Sequence, residues 1–203
     1  IRKTYGTPTT QFIDDATANS NWTGDWNTTG ETYVSPSQSF TDSPGSNYSA
    51  NTFAEYNLVQ DVDLTFATIA QVRFYAKWEI EADYDYCQFQ VSTDGGTNWI
   101  GQCGNYTVPG TSANGSVQPN NQPVYEGTES SWVLEEINLN DYIGDSIKVR
   151  FILKSDGGTI GDGFYFDDFE VLYNIDVTGL AENEKELFHM VPNPASSHAT
   201  IIF

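Results

Sequence analysis

Residues 72–80 alternate. Val72, Phe74, Ala76, Trp78 and Ile80 are apolar or small, and between them stand Arg73, Tyr75, Lys77 and Glu79. A period of two predicts a β-strand with one face on a core and the other in water. After Asp85 the apolar positions become odd: Cys87, Phe89 and Val91. The change of parity predicts a corner over Glu81–Asp85. Elsewhere, short runs rich in Val, Ile, Phe and Tyr are separated by Gly, Asn, Ser and Thr, and helix signals are almost absent. The expected strands are Thr10–Ile13, Tyr33–Ser35, Glu55–Leu58, Ile69–Trp78, Tyr86–Ser92, Trp99–Gln102, Val133–Asn138, Ile147–Leu153 and Phe164–Tyr173. Many short strands with regular turn signals predict an all-β sandwich of two antiparallel sheets.

Two segments stand apart from this pattern. Asn105–Glu129 is polar and rich in Gly, Pro and Asn, and reads as a surface loop with too few apolar residues to pack on its own. Beyond a boundary near Asn174–Thr178 the patterning fades. The chain is therefore divided into a linker (1–9), one domain (10–174) and a tail (175–203). Starting at Ile1 and stopping at Phe203 inside an apolar run, it reads as a fragment of a longer protein.

Charge narrows the partners. Acidic side chains number 28 against 8 basic ones, a formal net charge of −20. Nucleic acid is excluded, because phosphate binding needs clustered Lys and Arg. No apolar run approaches the ~20 residues that span a bilayer. Both histidines, His189 and His198, lie in the tail, so the body offers neither a zinc site nor a Ser-His-Asp triad. Asp94-Gly95-Gly96 and Asp156-Gly157-Gly158 read as hairpin turns. Cys87 and Cys103 flank a hairpin signature. They are either a disulfide across neighbouring strands, which implies an oxidising compartment, or two free buried thiols; the hairpin favours the disulfide.

The most unusual stretch is Gly163–Val171, where Asp167-Asp168 sits among aromatic residues. Carboxylates beside apolar surface are costly unless something compensates them. Asp14-Asp15 and the set Glu79, Glu81, Asp83 and Asp85 repeat the theme. If the fold gathers them, the expected partner is a hard cation such as calcium. Five Trp, twelve Tyr and twelve Phe supply a core. Those in loop contexts, Trp22, Trp26, Tyr33, Tyr48, Tyr106 and Tyr125, are also candidates for stacking on sugars.

Phe12-Ile-Asp-Asp, the stretches Ala76–Tyr86 and Val91–Trp99, and Val149–Asp156 with Asp162–Val171 together resemble the MAM-like jelly-roll domain of immune inhibitor A-type secreted peptidases. With Tyr5–Thr9 and Thr41–Pro44 they are most similar to the domain that follows the catalytic unit of secreted bacterial zinc carboxypeptidases. Val191-Pro-Asn-Pro-Ala resembles the start of a type IX secretion sorting domain. The resemblance implies a jelly roll with a structural calcium ion and no zinc. By motif, the implied donors are Asp14 or Asp15, Asp42, Glu81, Asp83, and Asp167 or Asp168. Asp168 shares parity with Phe164 and Phe166, which favours it within its pair. The implied role is a monomeric, non-catalytic accessory domain, secreted or at the cell surface, that stabilises or positions the catalytic domain of the same chain. The alternative is a module that binds glycan or a cell-surface protein.

Overall fold

The computed structural model describes residues 8–113, 115–175, 190–191 and 200–201. The strands are β1 (Thr9–Asp14), β2 (Trp22–Gly24), β3 (Asn27–Thr29), β4 (Ser39–Thr41), β5 (Phe53–Leu58), β6 (Val62–Asp63), β7 (Ala67–Ile80), β8 (Tyr86–Ser92), β9 (Ile100–Gly101), β10 (Val108–Pro109), β11 (Pro123–Val124), β12 (Gly127–Asn138), β13 (Ser146–Lys154) and β14 (Gly163–Ile175). Most of the tail lies outside the described residues; of it, Ile175 and a ladder of Met190–Val191 with Thr200–Ile201 are described.

Two antiparallel sheets form a sandwich. One has the order β12-β7-β14-β4-β3, with β1 also on β14; the other has the order β2-β5-β13-β8-β9, with β6 on β13. The inner faces follow the alternation. Val72, Phe74, Ala76, Trp78 and Ile80 of β7 are buried, as are Cys87, Phe89 and Val91 of β8. Aromatic rings fill the space between the sheets. Phe151 stacks on Phe166 at 4.3 Å, Phe40 on Phe166 at 4.8 Å, and Trp22 meets Phe169 edge-on at 5.1 Å. Ring pairs of this geometry add about 0.5–1.5 kcal/mol each beyond the area they bury.

Several expectations change. Tyr33–Ser35 is a loop, because its amides turn to a carboxylate instead of a neighbouring strand. In β14 the register slips between Asp167 and Glu170: Asp167 faces Tyr75, Glu170 faces Arg73, and Asp168 takes a left-handed φ of 49°. This bulge inserts one residue, so inward parity passes from Phe164 and Phe166 to Phe169 and Val171. Asp167 becomes the fully buried member of the pair and Asp168 the half-buried one, the reverse of the parity argument.

The polar loop after residue 104 also packs. Val124 of β11, with Val117, joins Tyr86 and Ile152 in a second small core on the outer face of the second sheet. Gln88 donates to the Pro123 carbonyl at 2.7 Å. A few apolar residues suffice because the sheet supplies the opposing surface.

The cysteines are free: Cys87 is buried and Cys103 exposed. The hairpin pairs Gln90 with Gly101. Opposite Cys87, however, stands Tyr125, and Gly104 has already turned to bridge Ile137. The returning strand leaves β8 before reaching the level of Cys87.

Thiol titration is expected to modify Cys103 in the native protein and Cys87 only after unfolding; reductant is expected to leave the melting temperature unchanged. The β8–β9 turn gives a pH test. Asp94 accepts from the amides of Thr97 (3.1 Å) and Asn98 (2.9 Å), from the Asn98 side chain (2.6 Å) and from Ser92 (2.8 Å). Donation from the Asn98 amide and side chain, then from Ser92, lowers its pKa from 3.8 to about 2. A depressed folded pKa stabilises above the unfolded value, and that stability is lost as pH falls toward 2. Thermal melts of Asp94→Ala should therefore lie below wild type at pH 5 and converge on it near pH 2.

Candidate metal centre

Among the described residues, one group of three potential metal-ligating side chains has its donor atoms within 4.8 Å of one another: Glu81, Asp85 and Asp156. Glu81 follows β7, Asp85 precedes β8 and Asp156 follows β13. The chain crosses from one sheet to the other between Glu81 and Asp85, so the cluster sits where the two sheets are joined.

Local chemistry builds the corner. The Asp85 amide donates to the Glu81 carbonyl at 3.1 Å. Asp83 takes φ of 67°, a left-handed value that Asp tolerates better than most side chains. Tyr48 ties the corner to the preceding loop: its hydroxyl donates to Asp85 Oδ2 at 2.8 Å and accepts the Glu81 amide at 3.1 Å. The Asp156 amide donates to Asp85 Oδ1 at 2.7 Å, and the Thr159 amide donates to Glu81 Oε2 at 3.2 Å. Gly158 backs the group. A Cβ there would lie 2.9 Å from Asp156 Oδ1 and 3.2 Å from Glu81 Oε2.

Charge makes this cluster distinct. Asp85 is fully buried, and burial raises its pKa; the neighbouring charges of Asp156 and Glu81 raise it further, while hydrogen bonds from the Asp156 amide and Tyr48 oppose the shift. The ion pairs found among the described residues, Arg73–Glu170, Lys148–Asp61 and Arg150–Glu55, leave all three acids out. Three converging carboxylates without a protein cation match the oxygen-rich donor set that calcium takes, with carbonyls or water completing 6–8 ligands.

The acids singled out from sequence are dispersed. Glu81 is in the cluster. Asp83 shares its corner but is exposed, and its amide donates to Glu126. Asp14 is buried and accepts from Ala16 N (3.0 Å), Asn21 (3.0 Å) and the Trp22 indole (3.1 Å). Asp15 is exposed and holds the Thr17 amide and hydroxyl. Asp42 Oδ1 accepts the Phe164 amide at 2.7 Å, while its Oδ2 is buried without a partner. Burial drives this carboxyl to a pKa of about 7. Gly163 (φ 91°) lies so close that a Cβ would come within 2.5 Å of Asp42 Oδ1. Asp167 accepts the amides of Val34 (2.7 Å) and Ser35 (3.0 Å), which draws the loop of residues 33–35 over the sheet.

Asp156 had read as a turn residue, and Asp85 belonged to the acidic set without being carried into the donor list. Glu135 carried no sequence signal beyond an acid at an inward strand position. It is fully buried and accepts from Asn105 N (2.6 Å), Tyr106 N (3.0 Å) and Tyr125 Oη (3.0 Å).

The aromatic candidates divide by burial. Trp22, Trp26, Tyr48 and Tyr125 are buried, three of them in the main core's ring stack and Tyr48 at the corner; stacking on a sugar is closed to all four. Tyr33 and Tyr106 are exposed.

A family model described as "Immune inhibitor A-like, MAM domain" matches residues 46–186. Bacillopeptidase F of Bacillus subtilis (strain 168) is 34% identical over 97 residues, 48% of this chain and 5% of that protein. The pre-pro-metalloprotease PrtV of Vibrio cholerae serotype O1 (strain M66-2) is 28% identical over 102 residues, 50% of this chain and 10% of that protein. Among solved structures, the K2 cleaved adhesin domain of Lys-gingipain is similar with a TM-score of 0.47 and 15% identity, over 80% of this chain and 98% of that one.

Tyr48→Phe removes the donor to buried Asp85 Oδ2 and is expected to destabilise the domain by about 1–3 kcal/mol. Urea unfolding without added metal measures the loss.

Proposed function

The chain belongs to the immune inhibitor A-like MAM domain family, and from that membership we propose that it is a non-catalytic accessory domain of a secreted metallopeptidase. The observation that carries this reading is the small share of each peptidase relative that aligns, 5% of one and 10% of the other. A domain that fills so little of a protease chain fits a support to the catalytic unit. The acids agree: those buried in the sandwich serve backbone amides, and the one converging group suits a metal. A zinc carboxypeptidase as the parent and export by the type IX route are the finer form of the proposal. They rest on the sequence resemblances of residues 5–9, 41–44 and 191–195.

Within this reading Glu81, Asp85 and Asp156 hold calcium. The ion would neutralise three like charges and tie the β7–β8 corner to the segment after β13. Its contribution is structural: a ligand that binds only the folded state stabilises it with rising concentration, by about 2.7 kcal/mol at a hundredfold excess over Kd. No chemistry at a substrate is required of it. For a glycan-binding role, Trp22, Trp26 and Tyr125 are closed off in the core, which leaves Tyr106 and Tyr33 as the exposed rings.

Melting in calcium against melting in EGTA tests the metal. Calcium should raise the midpoint of the wild-type domain and leave Glu81→Gln/Asp156→Asn unmoved, while that variant still melts cooperatively in EGTA. No shift in millimolar calcium would remove the ion from the proposal. Chelator-sensitive peptide hydrolysis by the isolated domain would overturn the accessory role.

A further inference from the structure

On the outer face of the first sheet, away from the metal cluster, a groove of about 360 Å³ is lined by Ile13, Arg73, Tyr75, Leu134, Asp168 and Glu170. It crosses β12, β7, β14 and β1. Strand register builds it: Leu134 is opposite Tyr75, Glu170 is opposite Arg73 on one side and Ile13 on the other. We propose that this groove receives a lysine or arginine side chain of a partner polypeptide.

Half of the lining is apolar or aromatic. Ile13 is 59% exposed and Leu134 37%, and Tyr75 is the cross-strand neighbour of Leu134. A long basic side chain has an aliphatic stem to lay along such walls and a cation to present to a ring or a carboxylate. The groove supplies that carboxylate. Arg73 is already neutralised by Glu170, Nε to Oε2 at 2.6 Å. Asp168 lines the groove, and its carboxylate makes no hydrogen bond or ion pair with another described residue. The bulge in β14 separates the two adjacent acids: Asp167 is consumed by the Val34 and Ser35 amides, and Asp168 is left on the outer side. Bulges commonly re-aim a side chain in this way at functional positions.

Charge selects the partner. Glu136 is opposite Arg73 on β12, so this part of the face carries the carboxylates of Glu136, Asp168 and Glu170 against the Arg73 guanidinium, while Lys77, further along β7, is engaged with the Tyr165 ring at 5.0 Å. The chain as a whole carries −20. Acidic segments are repelled and basic ones attracted. The volume is at the low end of the ~300–1,000 Å³ typical of ligand pockets, enough for one long side chain with its flanking backbone. For the accessory domain, the site would hold a basic polypeptide near the enzyme; the groove itself depends on neither calcium nor the identity of the parent.

The test is titration of the ¹⁵N-labelled domain with acetyl-Leu-Lys-Leu-amide, followed by amide shifts, against the same peptide with Gln or Glu at the centre. The Lys peptide should shift the amides of Tyr75, Leu134 and Asp168 saturably; the other two should not. Asp168→Asn should weaken binding about tenfold, the loss of one charge-assisted hydrogen bond. Asn tolerates left-handed backbone, so the variant keeps the bulge. Leu134→Ser should weaken binding through the wall, and Asp145→Asn, which removes an exposed acid elsewhere, should leave it unchanged. Equal binding of the Gln peptide, or shifts spread over the acidic surface and indifferent to Asp168→Asn, would overturn the proposal. So would calcium alone shifting the same three amides and abolishing the peptide's effect, since that would give the groove to a metal ion.

Discussion

A carboxylate taken out of water must find donors, and in this sandwich the donors are the amides of the loops. Asp14 takes the Ala16 amide, Asp167 those of Val34 and Ser35, Glu135 those of Asn105 and Tyr106, and Asp85 that of Asp156. Each bond satisfies two groups that would be costly alone, a buried carboxyl and a loop amide with no strand to pair with. The long connections of a β-sandwich thereby become fixed to the sheets. The aromatic core depends on the same constraint, because Asp14 also orients the Trp22 indole at the centre of the ring stack.

This arrangement explains why an acidic domain need not be a catalytic one. An acid that accepts loop amides is held in place for structural reasons. Only where carboxylates converge on one another without a countercharge does a demand for a ligand remain. Glu81, Asp85 and Asp156 face one another at the crossing between sheets, without a protein cation among the described residues. Asp168 meets a different condition: a carboxylate unpaired among the described residues on an outer groove, freed by a bulge, beside Ile13, Tyr75 and Leu134 and an Arg73–Glu170 ion pair. The first suits a small hard ion and the second a long organic cation. The distinction comes from geometry, since both lie in runs of acids that look alike in sequence.

Sequence legibility followed the range of the interactions. Alternation in β7 and the parity change at Glu81–Asp85 were readable because strand pleating is local. The corner and both of its flanking strands stand where they were expected. The short strands Trp22–Gly24, Asn27–Thr29 and Ser39–Thr41 were not readable, because three residues carry no periodicity. Asp168 was favoured over Asp167 on parity, and a single inserted residue inverted the result. Cys87 and Cys103 read as a pair because the turn between them is a good one. The ladder nevertheless ends at Gln90–Gly101, and Tyr125 of a later segment takes the place beside Cys87.

By itself the sequence determined the class of fold, the inward faces of the long strands, and the family. Those follow from composition, from a two-residue period and from motifs that are contiguous in the chain. Only the tertiary structure decided which acids meet, which are spent on loop amides, and which tryptophans and tyrosines are closed off in the core. Glu81 and Asp156 are 75 positions apart and Asp42 bonds an amide 122 positions away. Contacts over such separations are set by how the two sheets register and cross, and no local pattern encodes that.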